Sequence, residues 1–497
     1  MKFFGISTAV LAILSISSQL AQAATTASPC DPTTCKLPNC LCPSLTPPAG
    51  LSPKDVPQFV TITFDDSVQA DLLATAYDLL DVKNPNGCSA KGSWYVSMQY
   101  TDFSLVQQWY AQGNEVADHT FTHVVFDCLL ISQSGSPSAQ EIAAARAMLN
   151  QYAGIPLGKL KGFRAPFLNY TEDTLREVAK QGFLYDTSTT GIVDDCYWPY
   201  TLDNGLANDC WNNVCGSELK LPGFWEIPMY AVNDNANTAQ LMDVYLAGTP
   251  SDVTAWSNTN FDRHYNGNRA PFGIYVHPTH LTKYPSLADP TAQKEGVVNF
   301  IKSLASKPDV WFVTNEQLLQ WMQNPVPASQ LANQPYMKCE LPKTNKEICN
   351  GLETINITSG VVSGPLVNQC NFNTVNWATC FNCPSTAPTV DNPTPNSAVA
   401  ATDAKYRHPV PNNCDSIWWD PIAGQCLCNG TDCAYNDTAV PLSTGSASSS
   451  ASASASPPIS SAQAASSAAK DTSNAATLTS GVIGLALSMG VAAMMTL

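Results

Sequence analysis

Positive charge is scarce in this chain. Its 497 residues include 24 Lys and Arg against 40 Asp and Glu, and the four charged types together make up 13%. A formal charge of -16 repels DNA, RNA and anionic membranes, which excludes nucleic-acid partners and leaves a neutral or cationic polymer compatible. Histidine is scarcer still, six in all. No internal repeat of fixed period is visible. With so little charge, Ser, Ala, Asn and Thr fill the surface, a composition that suits an extracellular wall protein.

Cysteine, by contrast, is plentiful, at 18. Residues 1–23 explain why. Lys2, an apolar stretch from Ala9 to Ile16 and the small-residue site Ala21-Gln22-Ala23 read as a secretory signal peptide, too short and too poorly flanked for a spanning helix. Secretion makes disulfides the default reading of the cysteines, and their even count permits full pairing. Sequons beginning at Asn169, Asn356, Asn429 and Asn436 agree with N-glycosylation. At the other end, a Ser/Ala-rich stalk over 443–475 cannot bury a core. Residues 476–497 then finish in an uncharged apolar tail from Gly481 with no basic residue after it. This pattern reads as a removed GPI-attachment signal, with Asn474 or Ser467 as the attachment site, in preference to a tail anchor. The predicted location is the cell surface, on the plasma membrane or cell wall, with membrane contact through the GPI anchor only.

Between these signals lie three regions. Residues 24–51 carry the cluster Cys30, Cys35, Cys40 and Cys42. Residues 52–325 alternate strand and helix signals. Residues 326–442 are cysteine-dense and carry Trp377, Trp418 and Trp419. In the middle region, Phe59 to Phe64 (FVTITF), Ser93 to Met98, Glu115 to Asp118, Phe163 to Ala165, Phe183 to Asp186, Trp225 to Met229, Gly273 to Val276 and Trp311 to Thr314 read as strands. Helices are predicted over 68–80, from an N-cap at Ser104 to Gly113, from a Ser138/Glu141 capping box to Tyr152, from Thr171 to Gly182, and at 290–305 and 315–322. Such alternation predicts an α/β fold with a mostly parallel sheet, barrel or doubly wound, whose chemistry sits at the C-terminal strand ends.

Several polar residues fall at those ends. Asp65 and Asp66 follow FVTITF directly. Neighbours on a strand face opposite ways, so the strand must end or bend there if both carboxylates serve one site. Alone, the pair better suits a helix N-terminus. His119 and His123 (HTFTH) follow the strand EVAD. Four residues span about 13 Å along a strand but only about 5–6 Å on one face of a helical turn, so shared metal binding requires the strand to end by His119. Thr120 stands where the HExxH zinc motif needs glutamate. The pair taken alone could be two surface histidines, although their scarcity favours ligands. Asp plus two His can hold a divalent ion with an open position. Water on that ion is acidified, and a second carboxylate can remove its proton. His277, after the strand GIYV, could protonate a leaving nitrogen or be an ordinary core histidine. Arg164 could hold a carboxylate by a charge-assisted hydrogen bond or form a surface salt bridge.

Taken in order, TFDD (63–66), HTFTH (119–123), RAPF (164–167), YDTS (185–188) and YVHPTH (275–280) resemble the five motifs of the polysaccharide deacetylases, carbohydrate esterase family four, over roughly 52–325. CKLPNC (35–40), WPYTLD (198–203), WEIPM (225–229) and NRAPFGIYVHP (268–278) look more specifically like the chitin-deacetylase-like members of fungi and arthropods. The insertion holding Cys196, Cys210 and Cys215 is of the type that subgroup carries. The resemblance implies a distorted (β/α)7-type barrel deacetylase domain followed by a disulfide-rich region. It implies Asp65 as general base, with Asp66, His119 and His123 holding Zn2+ (or Co2+ or another divalent ion). His277 is then the general acid and Arg164 the residue that orients Asp65. Asp186 positions His277, and the Phe167 N–H serves as an oxyanion donor. Four positions depart from the family pattern: Ser67-Val68 replace Gly-Pro, Phe167 replaces Tyr, and Tyr275 replaces Leu in what would be a wall of the acetyl pocket. The implied activity is N-deacetylation of chitin or chitin oligosaccharides. Deacetylation of acetylxylan or peptidoglycan is the alternative within the family. A non-catalytic chitin-binding wall protein, using the tryptophans of the C-terminal region, is the alternative outside it.

Overall fold

The computed structural model describes residues 30–123, 138–209, 219–234, 236, 238–243, 248–339, 368–379 and 383–396, with the backbone of 419–420 and 425–426. The signal peptide, the stalk, Asn356, Asn429, Asn436, Ser467, Asn474, Cys210, Cys215 and Trp418 lie outside them. Among the described residues no helix is long and apolar enough to cross a membrane.

The strand FVTITF forms as β1 (Gln58–Asp65), buried along its whole length. Its alternation divides the interior in two. Val60, Ile62 and Phe64 pack outward with the helices, while Phe59 packs inward with Tyr95, Ala117 and Tyr185. Strands β2 (Ser93–Val96), β3 (Glu115–Asp118), β4 (Gly162–Phe163) and β5 (Tyr185–Asp186) follow in parallel, each beside the last. Trp225–Glu226 continues the sheet in parallel, and Tyr200–Thr201 ends it antiparallel. On its other side β1 pairs in parallel with Phe272–Val276, and Val310–Phe312 pairs with the start of β1.

The sheet curls. Three strand steps in a flat sheet would separate β1 from β4, and β2 from β5, by about 14 Å. Yet Arg164, just after β4, reaches Asp65 of β1 at 2.6 Å, and the Tyr95 and Tyr185 hydroxyls meet at 2.9 Å. Two glycines make room for the inward rings. A Cβ on Gly162 would lie 2.1 Å from the Tyr185 hydroxyl, and one on Gly273 would lie 1.9 Å from the Tyr275 ring. The curled sheet with its outer helices is the expected distorted barrel.

The helices are α1 (Ala70–Leu80), α2 (Phe103–Ala111), α3 (Ala139–Ala153), α4 (Glu172–Lys180), α5 (Pro250–Tyr265), α6 (Thr291–Ala305) and α7 (Asn315–Gln323). Three details differ from the sequence reading. Asp102 rather than Ser104 caps α2, accepting from the Ser104 N–H at 2.9 Å. Ser138 caps α3, but Glu141 does not return the bond; its carboxylate takes the Thr122 N–H and hydroxyl instead, each at 2.8 Å. Helix α5 went unpredicted because its Ser, Thr and Asn are weak helix formers. Its start was nonetheless marked by Thr249, Pro250 at the first position and Asp252 completing a capping box.

The flanking regions join this body. The N-terminal segment is closed by Cys30–Cys42 and Cys35–Cys40. It lies against Trp198 and Thr201 through backbone bonds from Trp198 to Ser44 and from Thr201 to Leu41. Cys88–Cys339 ties the end of the barrel back to the loop before β2, and Cys370–Cys383 closes a hairpin of Asn368–Asn371 and Asn376–Thr379. Trp377 of that hairpin is 2% exposed. Its ring lies 4.2 Å from that of Tyr152 and 5.4 Å from that of Phe103. It is therefore a core residue, unavailable for stacking on a sugar.

Candidate active site

The site begins where β1 ends. Asp65 finishes the strand pointing inward, and Asp66 takes a left-handed backbone (φ 78°). That turn brings two adjacent carboxylates to one space, which a continuing strand would forbid. The left-handed region costs a non-glycine residue roughly 1–3 kcal/mol and marks functional sites when it is held. The HTFTH segment uses the same device: Thr120 (φ 68°) and His123 (φ 50°) fold the chain back after β3. The expected helical turn does not form. The histidines meet through this tight bend, their ring centroids 4.9 Å apart.

One residue orients both sides of the site. The Arg164 carbonyl accepts from His119 Nδ1 at 2.8 Å, so Nδ1 carries the hydrogen and Nε2 presents a lone pair. The Arg164 guanidinium donates to Asp65 Oδ1 at 2.6 Å, to Thr63 Oγ1 at 3.0 Å and, through Nε, to the Thr187 carbonyl at 3.1 Å. Its carbon lies 4.1 Å from the centre of the Tyr95 ring and 5.4 Å from that of Tyr275. Tyr275 is itself 3% exposed and accepts the Tyr230 N–H through its hydroxyl. It therefore lies beneath Arg164 instead of walling a pocket: the larger ring turns inward over Gly273.

Asp66, His119 and His123 present donor atoms all within 4.8 Å of one another. His123 Nε2 is 3.0 Å and His119 Nε2 3.9 Å from Asp66 Oδ1. Zinc bonds of about 2.1 Å in a tetrahedron place donors about 3.4 Å apart, so the set fits such an ion. Burial pushes His119 down to about 4, which keeps its imidazole neutral and able to ligate at neutral pH. Asp65 Oδ2 stands 3.8 Å from His119 Nε2, beside the cluster.

His277 follows Phe272–Val276 and turns Nε2 toward Asp66 Oδ2 at 3.8 Å. The carboxylate that holds it is Asp243, not Asp186. Asp243 accepts from His277 Nδ1 at 2.5 Å and from the His277 N–H at 2.7 Å. Burial alone would lower the His277 pKa, but the Asp243 bond and the nearby Asp65 and Asp66 push it up to about 9. Asp186 is fully buried elsewhere, where it accepts from the Ser188 N–H and hydroxyl, each at 2.8 Å, while Ser188 Oγ takes the Ala165 N–H at 2.8 Å. Asp186 thus braces the RAPF loop. Sequence reasoning missed Asp243 because it lies 34 positions from its partner in an irregular segment with no motif of its own.

Phe167 sits on the RAPF loop at φ 55°, exposed, with its ring centroid 4.9 Å from that of His123. Its N–H donates to no acceptor found among the described residues. Asn169, two residues on, is exposed.

A cluster of one carboxylate and two imidazoles, with an arginine-held carboxylate on one side and a carboxylate-held histidine on the other, belongs to hydrolases that work with a bound divalent ion. Comparison with known proteins narrows the class. The sequence profile of the polysaccharide deacetylase family matches residues 53–185. The chain is 33% identical over 376 residues to chitin deacetylase 8 of Bombyx mori, covering 74% of this chain and 93% of that protein. It is 31% identical over 388 residues to chitin deacetylase 1 of the same insect, covering 74% and 69%. Among solved structures, a probable polysaccharide deacetylase from Pseudomonas aeruginosa PAO1 matches at 15% identity and a TM-score of 0.35, over 54% of this chain and 91% of that one. The chain belongs to the polysaccharide deacetylase family.

Proposed function

We propose that this protein hydrolyses the N-acetyl groups of chitin, releasing acetate and leaving glucosamine units. The carrying observation is the division of labour between two neighbouring carboxylates: Asp66 faces the imidazoles of His119 and His123, while Asp65 is held by Arg164 beside them. Asp66, His119 and His123 would hold the divalent ion, for which Zn2+ or Co2+ suits the donor set. When bound, that ion supplies positive charge to polarise the acetyl carbonyl and to acidify water.

The chain's own groups perform the proton transfers. Arg164 fixes Oδ1 of Asp65, so Oδ2 is the atom that takes a proton from the attacking water. The new C–O bond forms at the acetyl carbon, and the Phe167 N–H donates to the oxygen that becomes negative. His277 carries a proton on Nε2 and gives it to the sugar nitrogen as the C–N bond breaks. Asp243 keeps Nδ1 protonated and the ring aimed. Acetate leaves and the sugar retains an amine.

The protein acts outside the cell, in agreement with its four disulfides among the described residues. Glycosylation at the exposed Asn169 and at Asn356, Asn429 and Asn436, and anchorage by GPI at Asn474 or Ser467, are further parts of the proposal and rest on the sequence. The deciding experiment measures acetate release from chitohexaose and from acetylxylan, with and without a chelator. Release from chitohexaose that stops on chelation is the expected result. Release from acetylxylan alone would reassign the substrate, and release from neither glycan would end the catalytic reading.

A further inference from the structure

Large apolar side chains exposed on the described surface are few: Leu45, Tyr100, Phe167, Val193 and Leu287. Two of them rise directly from strand ends on the sheet edge that carries Asp66 and His119: Tyr100 follows β2 and Phe167 follows β4. Val193 and Leu45 instead line a separate hollow with His264 and Asn268, and single exposed apolar residues need no explanation.

Tyr100 is the most telling of them. It is 61% exposed and holds a left-handed backbone (φ 64°). An exposed aromatic gains nothing from this strain by itself, so something else must hold it. The hairpin of Asn368–Asn371 and Asn376–Thr379 does so. The Tyr100 N–H donates to the Asn376 carbonyl at 2.6 Å, the Asn376 N–H to Gln99 Oε1 at 3.0 Å, and the Ala378 N–H to the Thr101 carbonyl at 2.9 Å. Buried Trp377 and the Thr379 hydroxyl, bonded to the Tyr152 carbonyl at 2.7 Å, fasten the hairpin to α2 and α3. On its other side, the loop is bonded to the segment leaving Asp66: the Val68 N–H donates to Thr101 Oγ1 at 3.2 Å and the Asp102 N–H to the Val68 carbonyl at 2.8 Å. The hairpin lies wholly outside the stretch that matches the family profile, 53–185.

We infer that Tyr100 is a specificity-determining residue, a platform on which a sugar ring of the polymer stacks beyond the two units nearest the reaction, and that the C-terminal hairpin exists in part to display it. The inference rests on the proposed glycan deacetylase reading. A phenol ring offers an apolar face to the C–H face of a pyranose and a hydroxyl at its wet edge. Tyr100 stands on the β2 loop and Phe167 on the β4 loop, with the His119–His123 turn between them in sheet order, so a ring stacked on Tyr100 belongs to a different sugar unit from one lying against Phe167.

The test compares wild type, Tyr100→Ala and Tyr100→Trp as full chains with bound metal, on chitobiose and chitohexaose, with calorimetric titration of each oligomer beside the kinetics. For Tyr100→Ala, we expect KM and Kd for chitohexaose to rise roughly three- to tenfold, in line with the loss of one aromatic contact. We expect kcat and the chitobiose parameters to change by less than twofold, and Tyr100→Trp to restore affinity for the hexamer. Unchanged hexamer binding in Tyr100→Ala, or equal losses on dimer and hexamer that Tyr100→Trp does not rescue, would overturn the platform. A wild type that binds and deacetylates another acetylated polymer, with the same Tyr100-dependent loss, would keep the platform and overturn the chitin reading. Binding to none of these glycans would overturn both.

Discussion

Asp65 and Asp66 are adjacent in the chain yet face a common space, because β1 stops at the first and the second turns into a left-handed backbone. They share His119, whose Nε2 is 3.8 Å from Asp65 Oδ2 and 3.9 Å from Asp66 Oδ1, but differ in their other partners: Asp65 is bonded to Arg164, whereas Asp66 lies within reach of His123 and His277. Asp65→Asn should therefore keep the metal and lose acetate release by roughly 10²- to 10⁴-fold, the usual contribution of a positioned base. Metal content by atomic absorption, set beside turnover, checks this. An active Asp65→Asn protein would move the base elsewhere.

Thorough chelation should abolish acetate release, and Zn2+ or Co2+ should restore it. Asp66→Ala, which removes one of three donors, should show no restoration at ion concentrations that saturate the wild type. Turnover that survives chelation would refute the metal-dependent reading.

The main strands and most helices were legible because their signals are local. FVTITF alternates and is rich in β-branched residues, and Thr171 begins α4 with its capping hydroxyl. Asp65, Asp66, His119, His123, Arg164 and His277 were legible because each falls at a strand end in a motif. What escaped depends on distance in sequence. Asp243 reaches His277 from 34 positions away, and Trp377 enters the core far from its partners Phe103 and Tyr152. Asp186 was misassigned because its motif shows that a carboxylate stands at a strand end but not which way it points. The bend at His119–His123 was inferred from reach alone, and a helical turn and a left-handed fold-back satisfy the same reach.

The exchange of Asp186 for Asp243 predicts two different phenotypes. Asp243→Ala frees His277 to rotate and to lose its Nδ1 proton. It should lower kcat by roughly ten- to hundredfold with metal content and melting temperature close to wild type. Asp186→Ala removes the acceptor for Ser188 and should act first on stability, by roughly 1–3 kcal/mol for a buried hydrogen-bonded group. Melting curves and kcat for both variants check this. A stable, inactive Asp186→Ala beside an active Asp243→Ala would reverse the assignment.

Trp377 tests whether the C-terminal hairpin is part of the catalytic body. Truncating a buried indole that packs on Phe103 and Tyr152 should cost about 3–5 kcal/mol. Were the hairpin an independent module, denaturant unfolding of Trp377→Ala would leave the transition of the barrel in place. The expected result is a single transition displaced to lower denaturant.

His264, on α5 and away from the metal cluster, should make the fold acid-sensitive. It is 8% exposed, its Nδ1 donates to the Ala270 carbonyl at 3.1 Å, and burial pushes it down to about 4. The unfolded chain takes up this proton near pH 6.5. Above that pH both states are neutral and the residue is indifferent. As pH falls from 6.5 toward 4, only the unfolded state is protonated, and folding loses stability at about 1.4 kcal/mol per pH unit, about 3 kcal/mol in all. His264→Gln removes the titrating group, while His119 and the other histidines remain in both proteins and cancel in the comparison. Denaturant titrations at pH 7 and pH 4 should therefore show the wild type losing about 3 kcal/mol more than the variant. Equal losses would mean that the His264 proton is carried in the folded state as well.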